Sequence, residues 1–446
     1  MNKLFRNGIV IFFITFSLLT IFNKPGSNIP AHVDEPSVVE TAIKISNGIF
    51  NPGFFRYPSG HMNSLAGIFK IAGYFSSELT IQDYYKISWG FSRFCIAGIT
   101  AMIFLICTIN MNIYFGILGS VLVWFNPLLK SHANFAIVDV PMAFFVTLFF
   151  LLITLLYSKS IWNIKYLLVL SMIAGIAISM KYTAALLLPS LLFISSQFVC
   201  TNEKYLLPIK NLKILLLSLG IFFSLTSIYI GMSQQLLLDY FLNLTTDGII
   251  EIEYLSTFNQ IIYLLMIIGL CCILLRFWNN EKKEKLLSIL FSPINWLILF
   301  SVILSFSILS PYTLIEWKKS ISDFMYEYRH MKIGSAAQYH HQSDEYIKLI
   351  SNLSTTASGI FYIKLFNNSF GVIGFLLGLY GIVELYLKQP KYAISLLIYL
   401  FLVLFTLFSW KNVATRYILN LLPLFIILLT YGVYSIKNII INKHII

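Results

Sequence analysis

Five stretches of this 446-residue chain carry side chains able to do chemistry amid apolar surroundings. In "IPAHVDEPSVVETA", residues 29–42, Asp34 and Glu35 stand together just after His32. Such a pair can take a proton, bind a polar ligand or metal, or simply cap the helix that Pro36 would open. "SHANFAIVDVPMAFFVTLFFLL" sets Asp139 and Pro141 at the head of a long apolar run. A carboxylate there is costly and usually functional, although Pro141 also allows a plain cap. "FFRYPSGHMNSL", residues 54–65, holds Arg56, Tyr57 and His61. Arg56 could clamp a phosphate through two parallel hydrogen bonds, or snorkel beside its aromatic neighbours. Lys181 punctuates the apolar "AGIAISMKYTAALLLPSLL", where an anionic partner such as a lipid phosphate competes with a snorkelling lysine. Last, "SPYTLIEWKKSISDFMYEYRHMKIGSAAQYHHQSDE" repeats Asp323, Glu327 and His330 at i, i+4 and i+7, with His340 and His341 beyond. That spacing suits a metal; a solvated helix face beside Phe324, Tyr328 and Met331 is the simpler reading.

The elements that must position these groups follow from composition. Hydrophobic residues make up 58% and charged residues 11% of the chain, against roughly 25% charged in soluble domains. A surface with so few charges must largely face lipid, so the expected class is an all-α polytopic membrane protein. Breaks at charges, Pro and Gly divide the chain into twelve spans, near 7–23, 89–108, 112–128, 141–157, 165–180, 184–200, 212–232, 259–276, 293–310, 369–387, 392–410 and 417–436. The N-terminal stretch reads as a retained first span rather than a signal peptide.

Lysines set the orientation. Lys159, Lys165, Lys204, Lys210, Lys213, Lys282, Lys283, Lys285, Lys388 and Lys391 fall in short loops on one side, which places both termini inside. Three large segments, 24–88, 233–258 and 311–368, then face outward, and Lys181 is an exception to the charge bias. Val38, Val39, Ala42, Ile43 and Ile45 against Glu40, Lys44 and Ser46 predict an amphipathic helix lying on the outer leaflet. The net charge of +12 is spent on topology and anionic headgroups rather than nucleic acid. Cys95, Cys107, Cys200, Cys271 and Cys272 form no CxxC, so neither a disulfide framework nor a zinc site is indicated.

The order of these features is familiar. An acidic pair after the first span, a basic-Tyr-Pro stretch, Asp-x-Pro opening the fourth span and Lys-Tyr-Thr between the fifth and sixth resemble the GT-C class of polytopic glycosyltransferases. The likeness is to the bacterial branch related to protein O-mannosyltransferases and the lipid A aminoarabinose transferase. "SPYTLIEW" with "YEYRHMKIGSA" is similar to that branch's mid-chain outer loop, and "RYILNLLPL" matches in layout. Pro58-Ser59 departs from the commoner Pro-Pro. The resemblance implies a GT-C-like bundle of about twelve helices with amphipathic outer-loop helices and no separate soluble domain. Residues 1–200 would be the catalytic module and 201–446 further spans.

By the same resemblance the chain would transfer a sugar, with inversion, from a polyprenyl-phosphate carrier to a glycan, lipid or protein hydroxyl. This would occur at the outer face of a bacterial cytoplasmic membrane. Asp34 would be the base and Asp139 the second acid, with Glu35 binding acceptor or metal, or capping. Arg56 and Lys181 would meet the donor phosphate, and Tyr57, His61, Tyr182, Glu327 and His330 would bind the acceptor or line the pocket. Metal dependence is left open: no cofactor is certain, and a divalent metal ion would use Asp34, Glu35, Asp139 and His32. A transporter or flippase of lipid-linked saccharides would instead need mid-membrane charges and paired broken helices. An O-antigen polymerase or ligase would centre on outer-loop arginines.

Overall fold

A computed structural model describes residues 2–23, 29–76, 79–234, 251–277, 280–333 and 355–443. Among them ten helices are long and apolar enough to cross a membrane. The spans expected near 112–128 and 165–180 are shorter helices of 13 and 17 residues, about 20 and 25 Å long. His340 and His341, like the rest of 334–354 and residues 235–250, lie outside the described residues.

The chain divides into two compact units, Met1–Leu191 with Ser301–Ile446, and Leu192–Phe300. The first opens with α1 (Asn2–Phe22), α2 (Glu35–Ser46), α3 (Gly60–Phe75), α4 (Ile81–Asn110), α5 (Ile113–Phe125), α6 (Pro127–His132), α7 (Asp139–Lys159) and α8 (Ile164–Met180). A 3-10 turn, Tyr182–Leu187, leads into α9 (Leu188–Thr201). The second unit holds α10 (Ile209–Met232), α11 (Glu251–Phe277) and α12 (Glu281–Leu290). There α10 and α11 pair where Ser227 Oγ donates to Ile262 O at 2.9 Å. Lys213–Glu284 (3.0 Å) and Lys285–Glu203 (2.9 Å) pair at its surface. After α13 (Pro293–Leu309), the chain returns to the first unit with α14 (Pro311–Ile315), α15 (Trp317–Ile333), α16 (Thr355–Lys388), α17 (Pro390–Ser409) and α18 (Leu422–Lys443).

Local signals explain several helix starts. Thr80 and Asp83 form a reciprocal capping box at α4. Asn112, Asn126 and Asn163 cap α5, α6 and α8 with their side chains. Glycine permits the closest crossings: a Cβ at Gly60 would lie 2.5 Å from the Ser179 carbonyl oxygen. That contact seats α3 on the end of α8, two residues from Lys181. Gly381 and Gly432 play the same part between α16 and α18.

Helix α2 forms as its pattern predicts, but its apolar face is covered by protein. Val38, Val39 and Ala42 are fully buried against Met62, Leu65, Phe69, Tyr85 and Trp89. The stripe that would serve a leaflet serves a core shared with α3 and α4, which corrects the interfacial reading.

Candidate active site

The two acids of "HVDEP" meet opposite environments. Glu35 is 0% exposed. Its Oε2 accepts from the backbone N–H groups of Ala31 (2.6 Å) and His32 (3.0 Å), and its Oε1 from Trp89 Nε1 (2.7 Å) and Ala136 N–H (2.7 Å). Four donors satisfy a buried carboxylate that would otherwise be very costly. They also tie the 31–35 loop to α4 and to the segment entering α7, fixing Asp34 beside it and Asp139 three residues beyond Ala136. Glu35 is therefore a structural anchor, with no oxygen left for acceptor or metal.

Asp34 precedes α2 but makes no side-chain cap. Its Oδ2 lies 2.9 Å from Arg416 Nη2 and 3.8 Å from His32 Nδ1. Oδ1 has no hydrogen-bond or ion-pair partner among the described residues, and the side chain is 25% exposed. His32 is held by the Asp34 N–H donating to its Nδ1 at 3.1 Å. Burial above all, opposed by Asp34 and aided by Arg416, lowers its pKa.

Asp139 is the first residue of α7, and Lys181 caps the C-terminus of α8. The positive end of one helix dipole thus carries the acid and the negative end of the other the base. Lys181 Nζ donates to Asp139 Oδ1 at 2.6 Å, with both side chains under 10% exposed. Arg416 Nε lies 4.0 Å from Asp139 Oδ2. One guanidinium thereby joins Asp34 to Asp139, and its Nη1 sits 3.2 Å from His32 Nε2. Arg416 stands in the Thr415–Ile418 3-10 turn, between α17 and α18.

Beside this cluster lies a cavity of about 200 Å³ bounded by Arg56, Tyr57, Lys181, Tyr182, Glu327 and Trp410. A second, much smaller cavity shares Lys181 and Trp410 with it and is lined by Asp139 and Asn420. The Arg56 strip is fixed at Phe55, whose N–H donates to Asp323 Oδ2 (2.8 Å) and whose carbonyl accepts from Tyr182 OH (3.1 Å). Arg56 Cζ stacks 4.0 Å from the centre of the Tyr326 ring. Burial, then the negative charges of Asp34 and Glu327, pushes the Tyr57 phenol well up. Burial also raises the Glu327 carboxyl, against the pull of Lys181, Arg56 and Arg416.

Asp34, Asp139, Lys181, Arg56, Tyr57, Tyr182 and Glu327 gather in one region; His61 and His330 lie near it but line neither cavity. His61 is fully buried, stacks on Phe91 at 5.7 Å and has no partner at either ring nitrogen among the described residues. Burial lowers its pKa to about 3, so it is a neutral core imidazole. Its face of α3 is turned inward by the same close approach that requires Gly60. His330 is taken by Asn412, whose Nδ2 lies 2.7 Å from its Nε2. The Asp323–Glu327–His330 face is real, but its members serve a loop, a cavity and a neighbouring strand of chain.

The four residues considered for a divalent cation do not fit one. Glu35 is saturated, Asp139 Oδ1 holds Lys181, and an arginine occupies the space between Asp34 and Asp139. Among the described residues no group of three or more His, Cys, Asp or Glu is placed to hold a metal. Arg416 is the member of this cluster that motif reading missed. Its signal was a lone arginine in the short "NVATRYIL" link on the lysine-poor side.

No family model matches the chain, and no curated protein matches it. Among solved structures it is similar to the oligosaccharyltransferase AglB of Archaeoglobus fulgidus bound to an inhibitory peptide and a dolichol-phosphate. That match has a TM-score of 0.48 and 12% identity, and covers 97% of this chain and 50% of that one. The same enzyme tethered to an acceptor peptide gives a TM-score of 0.47 at 12% identity, covering 97% and 50%. Its complex with Zn and sulfate gives 0.45 at 13%, covering 97% and 49%. The chain spans about half the length of these structures.

Proposed function

We propose that the chain is an integral-membrane inverting glycosyltransferase that moves a sugar from a polyprenyl-phosphate donor to a hydroxyl of a glycan, lipid or protein, with Asp34 as the base. The observation that carries this reading is the state of Asp34. Arg416 fixes one carboxylate oxygen at 2.9 Å, the other is unengaged, and the adjoining cavity holds Arg56 and Lys181.

A base needs a fixed direction and a free lone pair. The acceptor hydroxyl gives its proton to Asp34 Oδ1 as its oxygen bonds to one face of the anomeric carbon. The bond from that carbon to the phosphate oxygen breaks on the opposite face, and its electron pair leaves with polyprenyl phosphate. Arg56 and Lys181 meet the charge that grows on the phosphate. Asp139, ion-paired to Lys181 and near Arg416, orients these cations rather than reacting itself. Residues 1–200 supply the acids; the later spans return Arg416 and Glu327 to them.

Lys159 and Lys165 close the opposite end of α7 and α8 from Asp139 and Lys181. The positive-inside bias then supports a site on the outer side of a bacterial cytoplasmic membrane. The test is to incubate purified protein with polyprenyl-phosphate sugars and measure release of polyprenyl phosphate, with Asp34→Asn alongside. Release by the parent and its loss in the variant, at equal membrane yield, are expected. Full release by Asp34→Asn removes the base. Movement of the intact lipid across vesicles without release turns the assignment to a flippase.

A further inference from the structure

We infer that Glu327 is the residue that reads the donor's sugar, by accepting hydrogen bonds from its ring hydroxyls. This rests on the glycosyltransferase reading and assigns the part of the cavity that the phosphate does not use.

The inference begins with an asymmetry among the carboxylates around the site. Glu35 has four N–H donors, Asp139 has Lys181, Asp323 has the Phe55 N–H, and Asp34 has Arg416. Glu327 lines the cavity and has no hydrogen bond or ion pair to any described residue. Arg56 borders the same cavity but stacks on Tyr326 instead of pairing with it. The Glu327 carboxylate oxygens are not among the buried polar atoms left without a partner, so they open to the cavity, where water or a ligand hydroxyl can reach them.

Its surroundings specify the ligand's chemistry. Tyr182, Phe324, Tyr328 and Trp410 contribute aromatic walls, flat apolar surfaces suited to the C–H faces of a sugar ring. Arg56 and Lys181 supply positive charge for a phosphate. Two cations, aromatic walls and one carboxyl open to the cavity fit a glycosyl phosphate better than a plain lipid phosphate, which would leave Glu327 to water. Asp323, one turn earlier on α15, ties that helix to the Arg56 strip through Phe55. The carboxyl and the phosphate cations are therefore held in register.

The test uses the purified full chain and farnesyl phosphates carrying glucose, mannose, galactose or ribose, their monodeoxy analogues, and sugar-free farnesyl phosphate. Binding is titrated for the parent, Glu327→Gln and Glu327→Ala. The parent should prefer at least one sugar over one of its deoxy analogues by about tenfold to a hundredfold, the worth of a hydrogen bond to a charged group. Both variants should erase that preference yet bind sugar-free farnesyl phosphate like the parent. Retained discrimination in Glu327→Gln overturns the inference, as does a parent that never discriminates, or variants that lose sugar-free lipid in parallel. Failure of the parent to bind any phosphate lipid, or to transfer sugar, brings down the glycosyltransferase reading itself. Intact transfer with discrimination surviving in both variants removes only the role of Glu327.

Discussion

The loop before α2 and the inner face of α15 each present two carboxylates, and in each region the pair splits into an anchored member and an open one. In the loop, Glu35 is saturated by N–H donors from three segments, while Asp34 keeps a free oxygen. On α15, Asp323 accepts from the Phe55 N–H, while Glu327 faces the cavity unpaired. The loop's open acid is aimed by an arginine, whereas the helix's open acid has no such guide. That difference suits the roles proposed for them: a base must be oriented before its substrate arrives, and a recognition group can be oriented by the ligand it binds.

The largest effect that can break the comparison is on chemistry. Asp34→Asn keeps the shape and loses the proton acceptor, so transfer should fall by about two to four orders of magnitude. An equal fall in Glu327→Gln would erase the distinction between base and reader. Next comes the anchor: Glu35→Gln turns one acceptor into an NH2 group facing N–H donors. It should cost about 3–5 kcal/mol, the scale for breaking a buried charged network, measured as a drop in thermal unfolding in detergent. Wild-type stability would mean that Glu35 is not what fixes the loop.

Arg416→Lys keeps a charge but cannot contact Asp34, Asp139 and His32 together. Transfer should fall about tenfold to a hundredfold with little change in donor KM, because orientation of the base is lost rather than donor binding. A pure KM effect would move Arg416 to the phosphate instead.

The fourth expectation concerns pH. His61 has its folded pKa lowered by burial to about 3. Below its ordinary value near 6.5 the unfolded chain therefore binds a proton that the fold refuses, and stability declines as pH falls. Between pH 7 and 5 this amounts to about 2 kcal/mol, read from unfolding curves. His61→Asn should flatten that slope. Glu327 has the opposite sign: burial raises its carboxyl, so stability declines as pH rises through the raised value.

How much of this was legible in sequence depends on the range of the interaction. The long apolar runs gave helices because hydrophobic length is local information, and α2 took the face its period-3.6 pattern specifies. Asp34, Asp139 and Lys181 stood out as charges at span ends. What each charge touches was not local. Lys181 answers Asp139, which is 42 residues away in sequence, rather than a lipid phosphate alone, and Arg416 lies 384 residues from His32. Spacing put Asp323, Glu327 and His330 on one face, yet only the packed neighbours decide that one pins a loop, one opens to a cavity and one meets Asn412. The apolar stripe of α2 could equally have met lipid or protein, since both are greasy; α3 and α4 settle it.

The smallest expected effect tests whether the two regions are coupled through Phe55. Asp323→Ala removes the acceptor of a part-buried N–H, leaving Arg56 and Tyr57 on a looser strip. The loss of one charged hydrogen bond is about 1.5–3 kcal/mol locally, and much of it can be relaxed by movement of the strip toward water. The protein should therefore stay folded, with donor KM raised about three- to tenfold and kcat nearly unchanged, because Asp34 and Arg416 are untouched. Asp323→Asn, which keeps an oxygen for the Phe55 N–H, should recover most of the loss. If the asparagine is as impaired as the alanine, the negative charge rather than the hydrogen bond is what α15 contributes. The anchored acid of the helix would then be part of the electrostatic field around Arg56, unlike its counterpart in the loop.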